Sequence, residues 1–220
     1  MIINLPSRPF AALLFDMDGT LISSIASAER TWSRWAAAHG LDVAAFLPTI
    51  HGVRSVETIR RLDLPGVDPE AEAAAITAAE MEDVGDVTEI PGARAFLAGL
   101  PPERWAIVTS APRALALRRL AAADMPAPGL MVAAEDVTQG KPAPDCFRLA
   151  ARRLGIAAGD CCVFEDAPAG IRAAEAAGAA IVVVTAIHRE PVTAGHPAIA
   201  DYRGLAAVAG SDGIRLTIDR

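Results

Sequence analysis

Short, uninterrupted apolar runs recur along this chain, and each gives way to polar residues near its carboxyl end. The first is AALLFD, Ala11 to Asp16. RWAIVTS (104–110), LMVAA (130–134), CCVFED (161–166) and AIVVVT (180–185) follow. Apolar runs without polar alternation suit strands buried on both faces. The stretches between them read as helices: PRALALRRLAAA after the second run, PDCFRLAARRLG before the fourth, and APAGIRAAEAAG after it, ending at Gly178. Strands that alternate with helices predict an α/β fold built on a doubly wound parallel sheet.

One segment breaks the alternation. From Ser23 to about Ile90 the pattern is helical throughout, with no convincing strand. SIASAERTWSRWAAAHG places Ile25, Trp32 and Trp35 over one side of a helix, and SVETIRRL and PEAEAAAITAAEMEDV read as two more. The expectation is an all-helical module, residues 23–88, inserted into a core formed by residues 1–22 and 89–220. VTEIPGA (87–93) would carry the chain back, and GIRLTID (213–219) is expected as an edge strand.

Composition narrows the function classes. The chain has 220 residues, 52% apolar and 21% charged, enough for a real core in one domain with a smaller insert. Its net charge is −7 with no Lys/Arg-rich run, which argues against a nucleic-acid surface. No apolar run approaches the ~18 residues of a membrane span, and the start MIINLPSRPF lacks the features of an export signal. Cys146, Cys161 and Cys162 read as reduced buried thiols, so a cytoplasmic protein is expected, monomeric or dimeric.

In a doubly wound sheet, ligands bind beyond the carboxyl ends of the strands. Polar residues there are Asp16 and Asp18 in DMDGT, Thr109 and Ser110 after the second run, and Glu165 and Asp166 after the fourth. Lys141, in QGKPAPD, precedes the helix leading to the fourth run. Such a group of carboxylates needs compensation, and an all-oxygen donor set suits a hard cation such as Mg²⁺. One carboxylate could then attack phosphorus while a second carboxyl moves the proton, with lysine and hydroxyl donors on the phosphoryl oxygens. Each of these residues alone has an ordinary reading: a strand end, a helix cap, a surface lysine. Their order along the chain separates the two readings.

DMDGT, VTS, GKPAPD and FEDAPAG, in that order, resemble the haloacid dehalogenase superfamily of phosphohydrolases over residues 11–185. The resemblance implies a Rossmann-like core with a helical cap after the first motif. It also implies Asp16 as nucleophile and metal ligand, and Asp18 as general acid/base whose backbone carbonyl binds the metal. Thr109 and Ser110 would bind the phosphoryl group, Lys141 would stabilise the charge, and Asp166 and Glu165 would complete the Mg²⁺ site. Members that cleave carbon–halogen bonds lack the second aspartate, so Asp18 favours a phosphate ester. ERTWSRWAAAHGL, IHGVRS and MPAPGLMVAAEDVTQGKPAPD are similar to the sugar and polyol phosphatases, implying a small phosphorylated metabolite as substrate.

Two rival readings stand beside this one. A phosphosugar mutase on the same scaffold would carry a histidine ten residues after the general acid, where this chain has Ala28. A non-catalytic phosphometabolite-binding relative would have lost a motif residue, and all are present. Ser23 and Ser24 stand near where many relatives carry an aspartate; the glycerol-phosphatase type also lacks it. In the predicted cap, His51 and Arg54 are candidates for gripping substrate. His39, His188 and His196 read as surface residues, and Trp32, Trp35 and Trp105 as packing.

Overall fold

A computed structural model describes residues 5–187 and 193–218; His188 lies outside them. Six parallel strands form the main sheet: β1 (Ala12–Phe15), β2 (Trp105–Val108), β3 (Met131–Val132), β4 (Cys161–Glu165), β5 (Ala180–Val184) and β6 (Ala198–Ile199). Their order is β3-β2-β1-β4-β5-β6. The chain moves outward from β1 to β2 and β3, then returns to β1's other side for β4, a doubly wound Rossmann-like topology with its crevice at the carboxyl end of β1.

Both faces of β1 are buried, which is why its sequence does not alternate with polar residues. Leu13 and Phe15 face one core layer, together with Phe96 and Leu97 of α5 (Ala93–Ala98) and Leu115, Ala116 and Leu120 of α6 (Arg113–Ala122). Ala12 and Leu14 face the other, with Phe147 and Ala150 of α7 (Asp145–Arg153) and Ile171 and Ala174 of α8 (Pro168–Ala177). The first layer centres on Phe15, which stacks on Phe164 at 4.8 Å between ring centroids. Trp105 meets it edge-on at 6.2 Å, the packing role expected of that residue.

Between β1 and α5 the chain forms α1 (Ile25–Ala38), α2 (Val43–Phe46), α3 (Ser55–Arg60) and α4 (Pro69–Glu82). These helices have their own cluster of Trp32, Trp35, Ala36, Phe46, Ile50, Ile59 and Ile76. The two crossings to the sheet run side by side: Ser23 N–H donates to Thr88 O and Ile90 N–H to Leu21 O, each at 2.8 Å. Arg30 of α1 forks onto Asp83 and Asp86 just before the return crossing.

The start of α4 is fixed locally. Asp68 accepts from the N–H groups of Glu70 and Ala71 at 3.0 and 3.3 Å, and Pro69 supplies a preset φ at the first helical position. Asp68→Ala is expected to cost about 1 kcal/mol, measurable as a lowered denaturation midpoint with an unchanged slope.

The expected edge strand is β8 (Gly213–Ile218), but it pairs antiparallel with β7 (Leu205–Gly210) in a separate two-stranded hairpin. A bridge between Phe10 and Ile214 ties the hairpin to the entry of β1. Among the described residues no helix is long and apolar enough to cross a membrane.

Candidate active site

Three strand ends and one loop deliver the polar residues. Asp16 follows β1 directly, Thr109 follows β2, Glu165 closes β4, and Lys141 enters from the loop before α7. The Lys141 ammonium donates to Asp16 Oδ1 at 2.6 Å, Glu165 Oε1 at 2.7 Å and Val108 O at 3.1 Å. It is 1% exposed, so all three ammonium protons are used inside the protein. Glu165 Oε2 accepts from the N–H groups of Asp166 and Ala167, each at 2.8 Å, at the entrance to α8.

Asp16, Glu165 and Asp166 each offer a carboxylate oxygen, and these lie within 4.8 Å of one another. Burial pushes the Asp16 carboxyl well above its ordinary value; Lys141 pulls it down, while Glu165, Asp166 and Asp18 push it up. Burial would also lower the Lys141 ammonium, but Asp16 and Glu165 outweigh it and hold the charge on. Asp16 and Glu165 alone set two buried carboxyls against one lysine, and the donors are all oxygen. That combination fits a divalent cation held by Asp16 and Asp166, with Glu165 beside them.

Two glycines make this packing possible. A Cβ at Gly19, whose φ is +89°, would lie 2.1 Å from Asp166 Oδ2. A Cβ at Gly170 would lie 1.5 Å from Glu165 Oε1. Gly170→Ala must therefore displace Glu165 from Lys141 and from the α8 entrance. The expected cost is about 1–3 kcal/mol, read as a lower melting temperature; a melt identical to the parent would refute this placement of Glu165.

Asp18 does not join that cluster. Its side chain turns to the neighbouring cavity, where Oδ1 accepts from Arg119 Nη1 at 3.0 Å and from the Ser24 hydroxyl. The cavity has a volume of about 80 Å³ and is bordered by Asp16, Asp18, Thr109, Ser110 and Asp166 on the sheet side. His51, Trp32 and Glu80 border it on the helical side. Thr109 is buried, with Oγ1 accepting from Ala111 N–H at 3.0 Å, while the Ser110 hydroxyl donates to Gly52 O at 2.9 Å.

The two cap candidates part company. His51 borders the cavity, with Nε2 3.3 Å from Glu29 Oε1. Arg54 is not among the residues bordering it. Its guanidinium donates to Ala134 O, Val137 O and Thr138 O at 3.2, 3.0 and 2.8 Å, and pairs with Glu57. His39 and His196 are half-buried: His39 packs on Trp35, and His196 bonds Glu175.

Several participants were not among the candidates, one of them the last residue of DMDGT. Thr20 donates to Asp166 Oδ1 at 3.0 Å. Arg119 and Glu80, each 4% exposed, face Asp18 from α6 and α4. Burial raises the Glu80 carboxyl to about 7, with Arg119 opposing and Asp18 adding to the rise. The Arg119 guanidinium, despite its burial, is held charged by Asp18 and Glu80. The signal was present in sequence: Arg119 lies four residues after Leu115, and Glu80 four after Ile76, so each is a charge on a buried helix face.

Residues 10–178 match the haloacid dehalogenase-like hydrolases, and the chain belongs to that family. Hexitol phosphatase A of Escherichia coli K12 is 41% identical over 181 residues, covering 79% of this chain and 82% of the relative. The 2-deoxyglucose-6-phosphate phosphatase 1 of Saccharomyces cerevisiae is 32% identical over 202 residues, covering 81% of each. A crystal structure of a hydrolase from Pseudomonas syringae aligns with a TM-score of 0.71 at 27% identity, covering 80% of this chain and 84% of that one.

Proposed function

We propose that this protein is a cytoplasmic, Mg²⁺-dependent phosphatase that hydrolyses a small sugar or polyol phosphate monoester through an aspartyl-phosphate on Asp16. The observation that carries it is the arrangement of two carboxyls with different surroundings at one cavity, Asp16 buried and Asp18 partly exposed. Asp16 is locked against Lys141 beside Glu165 and Asp166, and Asp18 stands apart with Arg119 and Ser24. The similarity to hexitol and 2-deoxyglucose-6-phosphate phosphatases supports the substrate class. The three buried, unpaired thiols support a reducing compartment.

Lys141 holds Asp16 Oδ1, which leaves Oδ2 to form the bond to phosphorus as the ester P–O bond breaks. Asp18 gives its proton to the departing alcohol oxygen. Its carboxylate then takes a proton from the water that attacks phosphorus, and Asp16 is released with inorganic phosphate. Thr109 and the Ser110 N–H hold the transferring phosphoryl oxygens, while Lys141, its three protons on Asp16, Glu165 and Val108, stabilises the negative charge. A cation bound by Asp16, Asp166 and Glu165, with the Asp18 carbonyl, would offset the negative charge brought together there.

The cavity, at about 80 Å³, is smaller than the ~300 Å³ where small-molecule pockets begin. Residues 23–88 therefore act as a cap that opens for substrate and closes for the first step. Arg54 serves that closure by clasping the 134–138 loop, rather than by gripping substrate. His51 remains a substrate contact from the cap side.

The test is inorganic phosphate release from hexitol, hexose and glycerol phosphates, phosphoglycolate, nucleoside monophosphates and β-glucose 1-phosphate. Each is assayed with Mg²⁺ and with EDTA. Mg²⁺-dependent release led by polyol or sugar esters is the expected result. Release led by another ester would remove the substrate class and keep the mechanism. Isomerised sugar phosphate without release would mean a mutase, and no reaction at all would mean a binding module.

A further inference from the structure

The wall of the cavity facing Asp18 is largely apolar. Ile25, Ala28, Trp32 and Leu115 border it beside the polar Ser24 and His51, and a charged pair stands among them: Arg119 from α6 and Glu80 from α4. Arg119 is anchored through Nη1 to Asp18. Among the described residues its Nε has no hydrogen-bond partner, and Nη2 has only the long ion pair to Glu80 Oε2 at 3.4 Å, beyond a good N–H···O bond. Leaving buried guanidinium donors unmade is costly unless something completes them.

A hydroxyl group completes such a pair, because it accepts from the guanidinium and donates to the carboxylate with one oxygen. An alkyl group at the same place does neither. The location is also specific. In the proposed mechanism Asp18 protonates the ester oxygen, and Arg119 is bonded to that same carboxylate. A hydroxyl meeting Arg119 and Glu80 would therefore lie close to the ester carbon.

Building on the phosphatase reading above, we propose that Arg119 and Glu80 are specificity-determining residues that read the leaving group's hydroxyl on the carbon next to the ester carbon. The substrate class is thereby narrowed to phosphate monoesters with a vicinal hydroxyl, as in the acyclic polyol phosphates. Glu80 comes from the cap and Arg119 from the core, so the hydroxyl completes the pair only when the cap is closed.

The experiment compares glucitol 6-phosphate with its 5-deoxy analogue, which differ only in that hydroxyl. The parent enzyme is expected to favour the hydroxylated ester in kcat/KM by about 10- to 100-fold, the loss that follows from leaving charged hydrogen-bonding groups unpaired. Glu80→Leu is expected to bring the ratio below about 3 by the same argument. Glu80→Gln, which keeps the shape, is expected to lower it by at least about 3-fold, because a neutral amide accepts more weakly than a carboxylate. A parent ratio near one overturns the proposal, as does a ratio unchanged in either variant. Equal losses on both esters would mean a merely structural role and would also overturn it. Turnover of other phosphate esters but neither hexitol ester overturns it while leaving the phosphatase reading intact. Turnover of no ester at all overturns that reading, and this proposal with it.

Discussion

Asp16→Asn is expected to fold normally and to lose turnover by roughly 10⁴-fold or more, the scale at which losing a catalytic nucleophile is felt. The amide keeps the shape of the carboxylate, and its oxygen can still accept from Lys141 Nζ, which now sits 2.6 Å from Asp16 Oδ1. What it lacks is the nucleophilic oxygen anion. Stability should move the other way or not at all. The Asp16 carboxyl has a folded-state pKa raised above its unfolded value, chiefly by burial. The folded state then binds the proton more tightly, so stability falls as pH climbs from the unfolded value toward the folded one. At neutral pH, above the unfolded value, the Asp16 carboxyl is thus a cost to the metal-free protein, and asparagine removes it. Circular dichroism melts with EDTA check the fold; phosphate release with Mg²⁺ checks the chemistry. A well-folded variant that kept more than a few per cent of parental turnover would exclude Asp16 as the nucleophile.

The parts of this molecule legible in sequence are those whose cause is local. The runs at 11–16, 104–110, 161–166 and 180–185 became β1, β2, β4 and β5, because strands covered on both faces must be apolar at every position. The run at 130–134 kept only Met131 and Val132 in the sheet, pairing with Ile107 and Val108. β6 has no run of its own. Its two residues are a strand only because Val183 and Val184 lie beside them, which no local pattern records. The four residues of α2 are too few to show a helical period. GIRLTID showed its strand character but not its partner, since pairing with β7 rather than the sheet is settled by where the chain's end meets Phe10.

The same division holds at the site. Strand ends brought Asp16, Thr109 and Glu165 together, because parallel strands place their carboxyl ends along one edge. Lys141 reached them from a loop, and only its motif marked it. Arg119 and Glu80 were missed as a pair because the two lie on different helices. Their positions on buried faces were visible, but what each charge would meet there depends on how α4 packs against α6. Arg54 shows the reverse case. Its motif made it a candidate for gripping substrate, and the fold gives its guanidinium three backbone carbonyls to satisfy, partners that no local pattern records.

Removing Lys141 should be the most destabilising single change at the site. Lys141→Met keeps the apolar stem, which passes Phe147 with Nζ 5.1 Å from the ring, and deletes only the ammonium. Asp16 and Glu165 would then be buried together without the ammonium they share, and Val108 O would lose that donor. Breaking a buried ion pair by removing one partner costs about 3–5 kcal/mol. In a chain of 220 residues this corresponds to a fall in melting temperature of roughly 6–20 °C. Divalent cation should restore part of the loss, because a ligand that binds only the folded state adds about 2.7 kcal/mol at a hundred times its dissociation constant. The variant's melt should therefore respond to Mg²⁺ more steeply than the parent's, even though its turnover is lost. That contrast separates two roles for the lysine. A residue needed only to touch the phosphoryl group would leave the substrate-free melt unchanged. One that holds the carboxylates together against their own repulsion would make the substrate-free protein dependent on Mg²⁺. A Lys141→Met melt within about 2 °C of the parent in EDTA, less than 1 kcal/mol on the same scale, would show that the buried carboxylates do not need its charge.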